Sequence, residues 1–204
     1  MNFFVSGTDT SVGKSVVAAW LLQRLGGEYW KPVQSGLQGE SDTAAVARLS
    51  GFGLERFHPE TYRLTAPLSP HESARRDGIS ISLKAFRQPK CVRPLVVEGA
   101  GGVLVPLNDK YTMVDLMVQL ALPVILVART GLGTINHTLL SLEALRSRKL
   151  TVAGVIFSGP SNPDNRQAIE SYGGVSILAE IPFLDPLNAD ALRAIPPLAN
   201  IPIK

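Results

Sequence analysis

The sequence predicts an α/β fold, a mostly parallel sheet with helices on both faces. Two observations carry that reading. Runs such as "LVV" and "PVILVA" are apolar at consecutive positions, as strands are when both sides of a sheet are covered. These runs alternate along the chain with helical segments, the order a parallel sheet requires. The 204 residues suit one domain, 1–204, and no composition break or internal repeat divides them.

The elements follow in order. Residues 2–6, "NFFVS", read as a short buried strand, and residues 14–25, "KSVVAAWLLQRL", as a helix apolar on most faces. Residues 28–33, "EYWKPV", read as a second strand stopped by Pro32, before a Gly/Ser-containing loop over 34–41. A helix is expected over 41–49, with Ser41 or Asp42 at its cap. Residues 51–90, rich in proline and polar side chains, show no regular pattern. Beyond them come a strand at 93–99, a helix at 111–122, a strand at 122–128 and a helix at 134–148. A strand at 151–158, a helix at 162–172 and a last strand at 175–182 complete the alternation.

Composition narrows the function. Hydrophobic residues make up 45% of the chain, enough for a sizeable core, and the formal net charge is only +3. A nucleic-acid partner would call for clustered Lys and Arg, and "ARRDG" and "LRSRKL" are short enough to be solvated helix ends. Cys91 is the only cysteine, so no disulfide forms within the chain and a cysteine-based zinc site is expected to lack ligands. His58, His71 and His137 show no metal-ligand spacing. There is no G-x-S-x-G to suggest an esterase-type nucleophile. No signal pattern opens the chain, and its apolar stretches are too short to span a bilayer. A cytoplasmic protein without a membrane partner is expected.

Ligands of such sheets bind beyond the carboxyl ends of the strands. After the first strand comes "SGTDTSVGKS", ending like a phosphate-binding loop in Gly13-Lys14-Ser15. The usual first glycine position holds Thr8, and the glycine sits one place early at Gly7. The context of strand, loop and helix is that of a P-loop NTPase-like fold. Backbone N–H groups at the helix start would cradle phosphates, Lys14 would reach the outer ones, and Ser15 would offer its hydroxyl to Mg²⁺. Lys31 follows the second strand, and Asp42 either caps the next helix or helps hold Mg²⁺. Glu98 ends a four-residue apolar strand, where phosphate-loop enzymes place an acid that contacts Mg²⁺. Gly99, Gly101 and Gly102, around Ala100, leave room for a ligand to approach the backbone. The Gly-rich turn "RTGLGTINH" opens a later helix as a second potential anion site.

Taken together, "GTDTSVGKS", "KPVQSG", "SD" at 41–42, "SPH" at 69–71, "VEGAGG", "LPVILVA", "GLGTINH" and "EIP" resemble the dethiobiotin synthetase family along most of the chain. The family's loop also carries its glycine one residue early. The resemblance implies an ATP- and Mg²⁺-dependent ligase of biotin biosynthesis. It would join 7,8-diaminononanoate with CO₂ through a carbamate and a carbamic-phosphoric anhydride. It implies nucleotide contacts at Ser11, Val12, Gly13, Lys14, Ser15, Val16, Asp42, Glu98, Gly99, Ala100 and Gly101. The base would lie near Ser158, Gly159, Pro182, Phe183 and Leu184. Ser15, Asp42 and Glu98 would hold Mg²⁺. Thr10, Lys14 and Lys31 would serve catalysis, with Thr10, Ser35 and Pro70 facing the substrate. Asn136 would contact the substrate carboxylate from a neighbouring subunit of a homodimer, whose apolar contact face is expected at Leu139, Leu140 and Leu142.

The chain departs from the family pattern in three places. Ser11 replaces a frequent Glu, Ser158-Gly159 stands where an Asn commonly lies beside the purine, and the sequence stops at Lys204, short of the tail contacts of many members. Two other classes share the loop. A partitioning-type switch ATPase usually carries a lysine near the loop start in a K-G-G pattern, and "SGTDTS" has none. An amidoligase-like ATPase needs a glutamine-hydrolysing cysteine, and "QPKCVRP" around Cys91 offers no such context.

Overall fold

The computed structural model describes residues 1–199, so the Lys204 end lies outside the described residues. A seven-stranded sheet forms from β1 (Phe3–Gly7), β2 (Glu28–Trp30), β4 (Phe57–His58), β6 (Leu95–Gly102), β7 (Val124–Arg129), β8 (Val152–Ser158) and β9 (Ile177–Ile181). Its spatial order is β4-β2-β6-β1-β7-β8-β9, and neighbouring strands pair in parallel. Successive strand side chains point to opposite faces. Phe4, Val97, Leu126 and Phe157 therefore enter one core, and Phe3, Val5, Val96, Ile125 and Ile156 the other. This two-sided burial is why the strands read as unbroken apolar runs.

The helices are α1 (Lys14–Leu25), α2 (Asp42–Ser50), α3 (Pro70–Arg76), α4 (Met113–Leu120), α5 (Thr134–Ser147), α6 (Pro163–Gly173) and α7 (Ala189–Ala194). Helix α1 buries Val17 through Leu22 without a break, as its all-round apolar sequence requires. Helix α4 starts two residues later than its apolar pattern suggests. Thr112 and Asp115 form a reciprocal capping box there, which sets the start at Met113.

The expected strand over 28–33 is two strands. Pro32 has no N–H to give to a ladder, and the chain leaves the main sheet after Trp30. It resumes as β3 (Val33–Ser35), paired in parallel with β5 (Tyr62–Leu64) in a separate two-stranded sheet. The irregular stretch 51–90 thus contains β4, β5 and α3. Helix α7 was not anticipated; the Asn188 side chain caps it, Leu192 buries against α1's side of the sheet, and Trp20 Nε1 donates to the Ile195 carbonyl at 3.0 Å.

Strand β1 lies between β6 and β7, with β2 beyond β6, so strand order reverses at β1. The crevice at the carboxyl ends of β1, β2 and β6 is the place this topology reserves for a ligand.

Candidate active site

The loop after β1 folds back over Gly7. A Cβ at Gly7 would lie 2.7 Å from the Asp9 carbonyl oxygen and 2.8 Å from Val12 Cγ2. Only glycine lets the loop close there, which gives the displaced glycine its physical reason. Thr8 needs no such freedom, and its N–H donates to the Val127 carbonyl at 2.9 Å, continuing the β1–β7 ladder. Ser11 has φ 56° and Gly13 φ 91°, so the loop takes two left-handed residues before α1 begins. Lys14 Nζ bends back to donate to the Asp9 carbonyl at 3.0 Å. Burial, and then the nearby Lys31, pull the Lys14 pKa below its ordinary value.

Lys31 is the hub. Its ammonium donates to Glu98 Oε1 at 3.0 Å and to the Gly99 carbonyl at 2.9 Å, and it pairs with Asp42 Oδ2 at 2.6 Å. Burial opposes its charge, but Glu98 and Asp42 outweigh burial and raise its pKa. For Asp42 the sign reverses: burial raises its pKa, but Lys31, with Lys14 and Ser15, together lower it to below its ordinary value. The Ser15 hydroxyl donates to Glu98 Oε1 at 3.0 Å. The cap ambiguity at α2 resolves in the same place. The Ser41 side chain accepts from the Ala44 N–H and caps the helix, leaving the Asp42 carboxylate to the site.

These groups line a cleft of about 740 Å³. Thr10, Ser11, Gly13, Lys14, Ser15, Val16, Lys31, Ser35, Asp42, Pro70, Glu98, Ala100 and Gly101 all line it. The Ser35 hydroxyl is buried with no partner among the described residues, so the cleft holds an uncommitted polar group. Ser15, Asp42 and Glu98 offer only oxygen donors, a set that fits a hard ion such as Mg²⁺.

The remaining expected residues lie elsewhere. Val12 is buried behind the loop, and Gly99 serves through its carbonyl on Lys31. Ser158 packs against the outside of the loop, its Oγ 2.3 Å from where a Cβ on Gly13 would stand. The Gly159 N–H donates to the Ile181 carbonyl at 2.9 Å, bringing Ser158-Gly159 beside Pro182–Leu184, with Phe183 exposed. Asn136 is exposed on the first turn of α5, outside the cleft lining. The apolar face expected on α5 is narrower than predicted. Leu142 is buried and Leu139, three residues before it, packs against the same core, whereas Leu140 lies 100° round the helix from Leu139 and does not share that face. Leu140 alone of the three is exposed, beside a second cavity of about 460 Å³ that it lines with Leu104, Val105 and His137.

Two contributors escaped the sequence reading. Tyr29, fully buried, donates its hydroxyl to Glu98 Oε2 at 2.9 Å. Burial, and then the Glu98 charge, hold its pKa well above the ordinary phenol value. Gln34 lines the cleft and accepts the Asp42 N–H at 3.2 Å. Tyr29 stands two residues before Lys31, on the same side of an extended chain, a position that suits a core tyrosine equally well.

The fold and this site define a nucleotide-binding protein of the P-loop NTPase-like class. Comparison with known proteins agrees. Residues 1–191 match the family model described as "AAA domain". A ParA family ATPase from Chlorobium tepidum shares the fold at TM-score 0.54 and 15% identity, covering 94% of this chain and 88% of that one. Sequence relatives are much nearer. The chain is 52% identical over 194 residues to the ATP-dependent dethiobiotin synthetase BioD of Paramagnetospirillum magneticum, covering 95% of this chain and 94% of the relative. It is 50% identical over 193 residues to the enzyme of the same name from Agrobacterium fabrum, covering 95% and 91%. The chain belongs to the ATP-dependent dethiobiotin synthetase family, whose members are ATP-using ligases.

Proposed function

We propose that the chain is a cytoplasmic, ATP- and Mg²⁺-dependent dethiobiotin synthetase, working as a single domain within a homodimer. One amine of 7,8-diaminononanoate adds to CO₂, giving a carbamate and a proton. A carbamate oxygen attacks the γ-phosphorus of ATP, the bond to the β–γ bridging oxygen breaks, and ADP leaves. The second amine attacks the carbonyl carbon of the resulting carbamic-phosphoric anhydride. Phosphate departs with the bonding pair, the nitrogen gives up its proton, and the ureido ring is closed.

The observation that carries this reading is the grouping of Lys14, Lys31, Ser15, Asp42 and Glu98 in one cleft at the strand ends. The reaction brings a triphosphate and a carbamate together, and its main demand is charge neutralisation and positioning. Lys14 and the N–H groups opening α1 are suited to the phosphates. Lys31 has its donors engaged. To meet a carbamate it exchanges one of them, and Asp42, the more exposed of its two acids, is the partner able to turn away. Thr10 and the unpartnered Ser35 face the substrate side, and Pro70 with Pro67, Leu68 and Val105 forms an apolar wall that limits water. Ser15, Asp42 and Glu98 would hold Mg²⁺, which when bound supplies charge neutralisation at the phosphates. Ser158, Gly159 and Pro182–Leu184 flank the loop where a base would lie. Exposed Asn136 would serve the partner subunit's substrate.

The test is formation of dethiobiotin from diaminononanoate, bicarbonate and ATP, with ATP turnover measured beside it. Product formation with ATP hydrolysis strongly dependent on diaminononanoate is expected. Hydrolysis indifferent to diaminononanoate, with no product, would select a partitioning-type switch ATPase instead.

A further inference from the structure

Away from the cleft, three donor side chains from three separate segments converge at the sheet edge. Glu28 opens β2, His58 ends β4, and Cys91 lies in the segment entering β6. Their ligand atoms all lie within 4.8 Å of one another. His58 Nε2 is 2.7 Å from Glu28 Oε2 and 3.4 Å from Cys91 Sγ. This corrects the expectation that Cys91 lacks ligand partners. We propose that Glu28, His58 and Cys91 form a second cation site, selective for a thiophilic divalent ion of the zinc type.

The geometry favours a ligand set over a nucleophile. In a cysteine–histidine–acid relay, the thiol and the acid occupy different ring nitrogens. Here both approach Nε2, so no proton path runs through the ring, and all three groups face a common point. Tetrahedral zinc, bound at about 2.0 Å to nitrogen and oxygen and about 2.3 Å to sulfur, sets its ligand atoms roughly 3.3–3.6 Å apart. The Cys91–His58 spacing already falls there, and the His58–Glu28 pair would open by roughly half an ångström. Glu28 is held for the task. Its Oε1 accepts the Val92 and Arg93 N–H groups at 3.3 Å each, which leaves Oε2 turned to His58. Glu28 is buried while His58 and Cys91 are partly open, leaving a fourth position for water. A thiolate donor disfavours Mg²⁺, so this site and the oxygen-lined cleft select different ions.

The test uses the full chain, stripped of metal, with saturating Mg²⁺ to fill the oxygen site, then equilibrated with zinc and desalted. Elemental analysis is expected to find about one zinc per chain. Cobalt(II) in its place should give a thiolate-to-cobalt charge-transfer band. Cys91→Ser should abolish that band, and Cys91→Ser and His58→Gln should each weaken zinc binding by at least about tenfold. Absence of retained zinc, a cobalt spectrum lacking the sulfur band, or zinc affinity in both variants equal to that of the unaltered protein would overturn the site. The first two readings need only the unaltered protein, so they stand even if a variant folds poorly.

Discussion

At the scale of residues, the site is a balance of two cations and two carboxylates, and its members are not interchangeable. Among the described residues, Lys31 neutralises two acids that no other cation reaches at hydrogen-bond distance. Lys31→Ala is expected to leave Glu98 buried and uncompensated, costing about 3–5 kcal/mol of stability, and to collapse product formation while an ATP analogue still binds. Urea denaturation, calorimetry and a product assay read the three effects. Loss of analogue binding in a folded variant would move Lys31 to the phosphates. Tyr29→Phe isolates a positioning role. It removes one hydroxyl from Glu98 Oε2 and changes little else, so about 1–3 kcal/mol of stability should be lost. If Glu98 is also misaligned, the Mg²⁺ dependence should shift to higher concentration; unchanged stability and Mg²⁺ dependence would deny Tyr29 that role. Lys31 and Glu98 stand out in the sequence because strand ends collect ligands in this topology, whereas Asp42, opening a helix, reads alone as a cap and joins them only through the family resemblance. Tyr29 does not, because a tyrosine in a strand of "EYW" reads equally well as core packing.

At the scale of elements, the phosphate loop shows how a departure from a motif follows from backbone geometry. The loop doubles back at Gly7, so the small residue is needed where Asp9 and Val12 return. Gly7→Ala is expected to push the loop outward and weaken ATP-analogue binding roughly 10²-fold, as misplacement on the ångström scale does, with the circular dichroism spectrum retained. Adding Thr8→Gly, which restores the common spacing, should not rescue binding; rescue would show that the loop closes by another path. The regular elements were legible because each declares itself locally, by an apolar run or a helical period. The break at Lys31-Pro32 was not. Proline announces that the ladder stops, but not that the chain reopens beside Tyr62–Leu64 as a second small sheet. Helix α7 was missed for a related reason: six residues with one buried leucine carry too little periodicity to read.

At the scale of the whole molecule, the cleft is assembled by one chain, whereas Asn136 stands outside it on an exposed turn. If two copies complete each other's sites, mixing inactive Lys14→Ala and Asn136→Ala proteins should restore up to about a quarter of the activity. In that mixture half of the chains pair unlike, and each such pair holds one intact site. No recovery despite demonstrated subunit exchange would argue for self-contained sites. The order of the strands has a further consequence, for synthesis. Strand β1 precedes every other strand of its sheet, yet both its neighbours, β6 and β7, follow it only after β2 to β5. Until Leu95–Gly102 has left the ribosome, Phe3–Gly7 has neither of its partner strands to pair with, and Ser15 has no Glu98 to meet. The nascent chain must therefore keep a finished-looking nucleotide motif idle and strand β1 shielded, and ATP can become a folding partner only after β6 has emerged.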